Sequence, residues 1–314
     1  MKIVITDGFT LNPGDLSWKP FYSLGDVDYH DRTSPAETVI MVRDADVIVT
    51  NKTPITADVI QECKNLKLIA VTATGYNVID VDAAKKHRVL VCNVPEYGTF
   101  SVAQHAISLI VELSNRVGTN SQSVRGGDWS SSTDWCYSRS PIIELKDKTL
   151  GIVGLGRIGN QTARVASALG MKIAYQRGKP DGVEAREVTL DELFRESDFV
   201  SLHCPLRADN EKFVNSGLLS LMKSTAFLIN TSRGQLIDEV ALAGALQKNQ
   251  IAGAALDVLS KEPPPSDHPL LLLANCIITP HTAWLSREAR ARILQTTYEN
   301  IRMAMAGQAQ NLVG

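Results

Sequence analysis

Short apolar stretches alternate with longer segments along the first hundred residues of the chain. The apolar stretches are rich in β-branched residues and bounded by polar ones, which is typical of buried strands. They cover residues 2–6, 46–50, 66–71 and 89–94. The segments between them have helical length, and Thr56 and Asp80 are suitable N-caps for two of them. This alternation predicts a parallel sheet with helices on both faces.

The alternation stops near residue 100 and resumes near residue 149. Residues 101–117 carry an apolar stripe with helical spacing and predict one long helix. Residues 120–140 are rich in Ser, Gly and Trp, and we predict an extended loop or arm there. A loop of this length favours a role in assembly or in a binding site.

The second alternating section predicts another set of strands and helices. The predicted strands are 149–156, 171–175, 198–204, 225–230, 251–258 and 276–280. The predicted helices are 157–169, 189–196, 216–222, 238–248 and 286–306. Two such sections predict an α/β fold of two doubly wound, Rossmann-like parallel-sheet domains.

Composition and charge exclude several classes of protein. With 314 residues the chain has the length of two domains, and with 44% hydrophobic and 21% charged residues it can form a sizeable core. General disorder is therefore excluded. With a net charge of −2, the chain lacks the surplus of basic residues that a dedicated nucleic-acid binder carries. No apolar run has the length that a membrane span needs.

The cysteines do not form a metal or disulfide pattern. The five of them lie far apart, and no two are spaced as CxxC, so neither a zinc ribbon nor a disulfide framework is supported. The first apolar run is also too short for a secretory signal. We therefore expect reduced thiols in a cytoplasmic protein.

A glycine-rich turn follows the first predicted strand of the second section. Gly154, Gly156 and Gly159 fit the pattern G-x-G-x-x-G, with Arg157 and Ile158 between the last two glycines. In a dinucleotide-binding turn, the first glycine permits the tight turn, the second lets the backbone approach a pyrophosphate, and the third lets helix and strand pack closely. The following helix N-terminus adds free N–H groups for the phosphates.

The end of the next strand bears on which dinucleotide is bound. An acidic residue about 20 positions after the first glycine commonly binds the adenosine ribose hydroxyls and repels a 2′-phosphate. Here that position is Gln176, and Arg177 and Lys179 follow. The neutral residue and the two cations favour NADP(H). In the alternative, Arg177 stacks on the adenine and the cofactor is NAD(H).

Polar residues follow three apolar strands of the second section, where open α/β sheets bind their ligands. The three stretches are 226–234, 254–264 and 277–284. Arg233 lies before a glycine in the first stretch, Glu262 lies past the strand in the second, and His281 follows the strand in the third. We predict that these three side chains meet beside the cofactor.

Four ordered motifs in this half of the chain carry a family resemblance. They read GLGRIG, NTSRG, DVLSKEP and TPHTA, and the segments ATGYNVIDVDAA (73–84) and NVPEYGTFSVAQHA (93–106) extend the match over nearly the whole chain. The sequence resembles the D-isomer-specific 2-hydroxyacid dehydrogenases, and within them the glycerate dehydrogenases, also called hydroxypyruvate reductases.

The resemblance implies a role for each polar residue of the predicted site. His281 exchanges a proton with the substrate oxygen, a task that suits an imidazole. Glu262 pairs with that imidazole and orients it. Arg233 binds the substrate carboxylate with its fork of N–H groups and polarises the carbonyl. Thr74 and Gly75 match a loop whose backbone N–H groups hold the same carboxylate.

Further residues are assigned to the cofactor or to a partner subunit, whereas His203 and His105 are judged by their positions at a strand end and in a helix. Asp257 matches the residue that bonds the nicotinamide carboxamide, and Thr231 is expected to contact the cofactor. His203 is either a rival base or a lining of the cofactor groove. Trp135 either reaches into the pocket of a partner subunit or packs in a dimer interface. His105 is expected to be a core or interface residue.

The resemblance also implies a domain plan. Residues 1–98 with 287–314 form a discontinuous substrate domain, and residues 99–286 form the dinucleotide-binding domain, with a cleft between the two. The long helix and the arm after it belong to the second domain and are expected to form a homodimer.

The expected reaction is hydride transfer between NAD(P)H and a small 2-keto acid, with hydroxypyruvate and D-glycerate as the first substrate pair and glyoxylate and glycolate as a further one. A larger 2-keto acid is the enzymatic alternative, and a corepressor-like NAD(H)-binding protein is the non-enzymatic one. Formate oxidation is disfavoured because relatives with that activity pair the histidine with Gln, whereas Glu262 is present here. Phosphoglycerate oxidation is disfavoured because extra cations and a long C-terminal regulatory domain are absent.

Overall fold

Two parallel β-sheets organise the chain in a computed structural model that describes residues 1–314. Each sheet belongs to its own unit. The first unit comprises Met1–Tyr97 and Leu285–Gly314, and the second comprises Gly98–Trp284.

The first unit contains a five-stranded sheet whose strands are all parallel. Its strands are β1 (Lys2–Ile5), β2 (Asp26–Tyr29), β3 (Val47–Thr50), β4 (Leu68–Val71) and β5 (Leu90–Cys92). Its first helices are α1 (Pro35–Val42), α2 (Ala57–Glu62) and α3 (Val81–Lys86). The strand order is β2-β1-β3-β4-β5, so the order reverses between β1 and β3. The fully buried Ile48 and Ile69 of the central strands form part of the core.

The end of β1 is tied to the end of β3 by one carboxylate. Asp7 accepts hydrogen bonds from three consecutive backbone N–H groups, those of Asn51 at 2.8 Å, Lys52 at 2.5 Å and Thr53 at 2.8 Å. A run of backbone N–H groups at this reversal point is a position where α/β proteins bind anions. In the first unit, a side chain of the protein itself fills it.

The second unit contains a seven-stranded parallel sheet. Its strands are β6 (Thr149–Leu155), β7 (Lys172–Gly178), β8 (Arg186–Glu187), β9 (Phe199–Leu202), β10 (Phe227–Asn230), β11 (Gly253–Leu256) and β12 (Cys276–Ile278). Its helices are α4 (Thr99–Asn115), α5 (Val117–Arg125), α6 (Arg157–Ala168), α7 (Leu190–Glu196), α8 (Ser216–Leu221) and α9 (Glu239–Gln247). The strand order is β12-β11-β10-β9-β6-β7-β8, with the reversal at β6.

Helices cover both faces of this second sheet. Leu228 of β10 belongs to a core cluster that includes Leu193 of α7, whereas the adjacent Ile229 belongs to a cluster that includes Ile110 of α4. Neighbouring residues of a strand point to opposite faces, so a strand that is buried on both sides must be apolar throughout. The predicted fold class, an α/β fold of two parallel sheets, is confirmed.

The last helix, α10 (Arg287–Met305), returns the chain to the first unit, where it packs against β4. The Ser286 hydroxyl caps it by accepting a hydrogen bond from the Ala289 N–H at 3.2 Å. None of the helices combines the length and the apolar character that crossing a membrane requires.

The prediction of an extended loop over residues 120–140 was wrong for its first part. Helix α5 extends through Arg125 and buries none of its residues, so it has no apolar stripe by which the sequence could have revealed it. Beyond α5, the predicted arm has no regular structure. Arg139 of the arm donates a hydrogen bond to the Ser123 hydroxyl of α5 at 2.9 Å and forms an ion pair with Asp128.

Candidate active site

The glycine-rich turn joins β6 to α6, and two of its three glycines have a steric reason within the protein. Gly154 has a φ of +97°, and a Cβ there would lie 2.8 Å from the Cys204 nitrogen. At Gly159 a Cβ would lie 2.4 Å from the Gly154 carbonyl oxygen. At Gly156, by contrast, a Cβ would meet nothing within 4 Å. This open space beside a helix N-terminus fits a pyrophosphate.

Two polar atoms past the ends of β9 and β10 are buried and have no hydrogen-bond partner. They are His203 Nδ1, just after β9, and Thr231 Oγ1, just after β10. The two strands are parallel neighbours in the sheet, with Leu202 opposite Asn230. His203 and Thr231 therefore lie side by side at the carboxyl ends of these strands. Buried polar atoms are normally bonded, so this pair fits a site completed by a polar ligand. A dinucleotide supplies such groups, and the residues of these strand ends therefore suit it.

The pKa of His203 distinguishes between its two predicted roles. Burial lowers that pKa to about 4, so the imidazole is neutral near pH 7. Its Nε2 lies 2.9 Å from the Ser201 hydroxyl, which fixes the ring. A group with so low a pKa is a poor proton acceptor in neutral solution, so the role of base is disfavoured, and the role in lining the cofactor groove stays a prediction.

The contrast between two of the glycines gives a first prediction. Gly154→Ala should lower the free energy of unfolding by about 2–4 kcal/mol, because the new Cβ would be strained and would strike backbone. Gly156→Ala should leave that free energy within about 0.5 kcal/mol and weaken binding of the nicotinamide dinucleotide instead. Urea unfolding and fluorescence titration measure the two quantities. Unchanged dinucleotide affinity in Gly156→Ala would exclude the turn as the pyrophosphate site.

The end of β7 carries cations and no acidic residue. Gln176 is half-buried, and Arg177 is exposed with a φ of +63°. The first acidic residue after them is Asp181, which forms an ion pair with the guanidinium of Arg164 on α6. Within residues 176–181, the two cations Arg177 and Lys179 outnumber this one carboxylate.

His281 and Glu262 are hydrogen-bonded to each other past the ends of β12 and β11. His281 Nδ1 lies 2.6 Å from Glu262 Oε2, and the two side chains are 28% and 36% exposed. The other carboxylate oxygen of Glu262 accepts a hydrogen bond from the Leu259 N–H at 3.0 Å, which fixes the carboxylate. Bonding at Nδ1 leaves Nε2 as the ring nitrogen that can exchange a proton with a ligand.

Arg233 lies in a loop that packs directly on the loop of Glu262. The following residue, Gly234, is buried so tightly that a Cβ would lie 1.9 Å from the Leu259 carbonyl carbon. Asn230 Nδ2 donates to the Arg233 carbonyl oxygen at 2.9 Å and holds the turn. The half-buried guanidinium donates to the Ser232 carbonyl oxygen at 2.8 Å through Nη1. The other N–H groups of the guanidinium have the planar arrangement that can donate two parallel hydrogen bonds to a carboxylate.

Asp257 organises the segment that carries His281. Its side chain is 0% exposed, and Oδ1 accepts from the Thr279 hydroxyl at 2.5 Å and from the Thr282 N–H at 2.9 Å. Oδ2 accepts from the Ala283 N–H at 2.9 Å. The Asp257 carbonyl oxygen accepts from the His281 N–H at 2.8 Å. Asp257 thus holds the His281 segment through both its side chain and its backbone, while its predicted contact with the nicotinamide stays a prediction.

The charge of this carboxylate is retained although it is buried. Burial by itself raises the pKa of Asp257, but hydrogen bonds from His105, Thr279 and the backbone of Ala283 and Thr282 outweigh that effect. The net result is a pKa below the ordinary value for Asp. A buried anion is therefore present next to the His281 segment.

A second His–Glu pair, which the sequence did not reveal, anchors the Glu262 loop. Glu239, at the start of α9, accepts from the Ser260 N–H at 2.7 Å and from the Ser260 hydroxyl at 2.5 Å. His268 Nε2 lies 3.2 Å from the same carboxylate. The only sequence signal is the acidic residue in the first turn of α9, which is typical of any helix.

The other predicted site residues lie away from this cluster in the chain. Thr74 and Gly75 belong to the first unit, where the Thr74 hydroxyl donates to the Val94 carbonyl oxygen at 2.8 Å. Trp135 lies in the arm of the second unit and is 87% exposed. Its carbonyl oxygen accepts from Trp129 Nε1 at 3.0 Å. The binding roles of these three residues stay predictions.

Comparisons with known proteins agree with this geometry. Residues 107–283 match the family model described as D-isomer specific 2-hydroxyacid dehydrogenase, NAD binding domain. The hydroxypyruvate reductase of Blautia hydrogenotrophica is 44% identical over 100% of this chain and 99% of its own. The glycerate dehydrogenase of Methylorubrum extorquens is 38% identical over 91% of each chain. The structure of an acyclic imino acid reductase, Bsp5, in complex with NADPH and D-Arg superimposes with a TM-score of 0.87 at 33% identity, covering 100% of both chains.

Proposed function

The chain belongs to the D-isomer-specific 2-hydroxyacid dehydrogenases, and from this membership we propose that it reduces hydroxypyruvate to D-glycerate with NADPH, reversibly. The observation that carries the proposal is the 2.6 Å contact of His281 Nδ1 with Glu262, beside the loop of Arg233. Similarity to a hydroxypyruvate reductase along the whole chain supports the choice of substrate. Glyoxylate, converted to glycolate, is a further substrate of the same size.

His281, Glu262 and Arg233 have different roles in the proposed reaction. When bound, the nicotinamide cofactor supplies or accepts the hydride. His281 donates a proton from Nε2 to the carbonyl oxygen during reduction and takes it back from the hydroxyl during oxidation. Glu262 stabilises the imidazolium form and keeps Nε2 directed away from itself. Arg233 binds the substrate carboxylate through two parallel N–H groups, which fixes the position of the adjacent carbonyl.

The cofactor would be held at the carboxyl ends of the strands of the second sheet. The turn at Gly156 and the N-terminus of α6 suit the pyrophosphate. His203 Nδ1 and Thr231 Oγ1 offer buried polar groups at the ends of β9 and β10. Arg177, together with the neutral Gln176, favours the 2′-phosphate of NADP(H), whereas stacking of Arg177 on the adenine would be compatible with NAD(H).

A turnover assay tests the proposal. Purified protein is mixed with hydroxypyruvate and NADPH, and the loss of reduced nicotinamide absorbance is followed. Parallel assays use NADH, glyoxylate and a larger aliphatic 2-keto acid. Faster turnover of the larger acid would overturn the assignment of substrate. Cofactor binding without turnover of any 2-keto acid would instead favour a corepressor-like protein.

Cofactor preference can be tested at one position. Gln176→Asp should lower kcat/KM for NADPH about 10- to 100-fold relative to NADH, because a carboxylate repels the 2′-phosphate. Gln176→Asn, which adds no charge, should leave the ratio within about 3-fold. Steady-state kinetics with both cofactors measure the ratio. An unchanged ratio in Gln176→Asp would place the 2′ substituent elsewhere.

The proposal includes a homodimer formed by α4 and the arm, in the cytoplasm. The arm is internally braced, since Arg139 joins Ser123 and Asp128, yet it presents Trp135 with 87% of its surface exposed. A large apolar side chain on a braced segment is typical of an interface. Trp135 would then pack in the dimer interface or reach the substrate pocket of the partner.

A further inference from the structure

Helix α4 holds both ends of the short segment that carries His281. The Ser101 hydroxyl donates to the Ala283 carbonyl oxygen at 2.6 Å. His105 Nε2 lies 3.0 Å from the Thr279 hydroxyl oxygen. Ser101 and His105 are four residues apart and therefore lie on one face of the helix. Their two partners lie two residues on either side of His281.

The backbone at His281 needs such support. His281 has a φ of +53°, in the left-handed region that side-chain-bearing residues seldom adopt. Its N–H donates to the carbonyl oxygens of Asp257 at 2.8 Å and of Thr279 at 2.9 Å. Strained backbone at a site persists only when the surrounding contacts hold it. The contacts of α4 with Thr279 and Ala283 are of that kind.

The hydrogen-bond directions link His105 to the buried carboxylate. The Thr279 hydroxyl has one proton, which it donates to Asp257 Oδ1 at 2.5 Å. Thr279 Oγ1 must then accept its second bond, so His105 Nε2 is the donor. The same Nε2 lies 3.4 Å from Asp257 Oδ1. His105 thus supports the anion that holds residues 279–283 in place.

We propose that His105 and Ser101 are positioning residues for His281, acting through Thr279, Asp257 and Ala283. This inference rests on the proposed function, in which His281 exchanges the substrate proton. Loss of the His105 donor would loosen the His281 backbone and misdirect Nε2. It would leave Arg233 and its loop untouched. The expected effect is therefore on kcat, with KM for the keto acid nearly unchanged.

Two substitutions at one position test the role of the donor. His105→Leu removes the donor and keeps much of the volume, and it should lower kcat about 10- to 100-fold with KM for hydroxypyruvate within about 3-fold. His105→Gln retains an N–H donor and should keep kcat within about 3-fold. His87→Leu, at an exposed position after α3, is the matched control and should change neither constant.

The smaller changes Ser101→Ala and Thr279→Val test the same contacts between α4 and the His281 segment if His105→Leu does not fold. Each should lower kcat about 3- to 10-fold. The pair combined should lower it by clearly less than the product of the separate effects if both act on one segment. A fall in melting temperature with unchanged kcat in all of these variants would make α4 a purely structural support and would overturn the inference.

A spectroscopic measurement separates this inference from the proposed function. The NMR shifts of the His281 ring nitrogens report the tautomer and the bond to Glu262. They should move in His105→Leu and return to the wild-type values in His105→Gln. Unmoved shifts would contradict the positioning role even if turnover fell. If His281→Ala does not reduce turnover, the proposed function fails instead, and the NMR result for His105 still stands by itself.

Discussion

Replacement of His281 by Ala is expected to lower kcat for hydroxypyruvate reduction about 10²- to 10⁴-fold. The carbonyl oxygen gains negative charge as the hydride arrives, and Nε2 of His281 is the proposed proton donor. Water can replace the missing donor only poorly. Steady-state kinetics with saturating NADPH measure the loss.

The affinity for NADPH is the control for this variant, because the glycine-rich turn lies in a different part of the sheet from His281. Fluorescence titration should give a Kd within about 3-fold of the wild-type value. Glu262→Gln supplies a graded comparison, since it keeps the size of the side chain and removes the charge that stabilises the imidazolium. A His281→Ala protein with full turnover would remove His281 from the acid–base role.

Replacement of Arg233 by Leu is expected to lower kcat/KM for hydroxypyruvate about 10³- to 10⁴-fold, mainly through KM. The proposed role of the guanidinium is to bind the substrate carboxylate, and its fork matches two oxygens at once. Arg233→Lys retains the charge but not the fork, so it should recover only part of the loss. Initial rates over a range of keto acid concentrations separate KM from kcat.

The contribution of the carboxylate can be isolated by changing the substrate. An activated ketone without a carboxylate should be reduced slowly by the wild-type protein, and its rate should change less than about 10-fold in Arg233→Leu. An equal loss for both substrates would show that Arg233 acts on protein geometry rather than on the carboxylate.

The buried strands of both sheets could be predicted because their sequences contain little besides apolar residues. Strands such as 227–230 and 253–256 are covered on both faces, and that environment requires continuous apolar side chains. The edge strands β2, which reads DVDY, and β8, which reads RE, escaped prediction because they are partly solvated and carry charges. Helix α1 also escaped, although Ser34 and Glu37 form a capping box at its start.

The pairing of His281 with Glu262 was foreseeable to a limited degree. Both residues follow strands of one parallel sheet, and their family motifs are specific. The support behind the pair was not foreseeable, because it depends on contacts between distant parts of the chain. The bond of His105 to Thr279 joins residues 174 positions apart, and it exists only because α4 packs on the second sheet. No local pattern records such an arrangement.

The carboxylate of Asp7 has a consequence for phosphate binding. Both units have an open parallel sheet with a reversal of strand order, so topology alone would allow each to take up a phosphate. In the first unit, the N–H groups of residues 51–53 are already saturated by an internal anion, which also repels an incoming one. These three N–H groups are therefore not free to bind a phosphate, and the matching position of the second unit, beside Gly156, is the one left open.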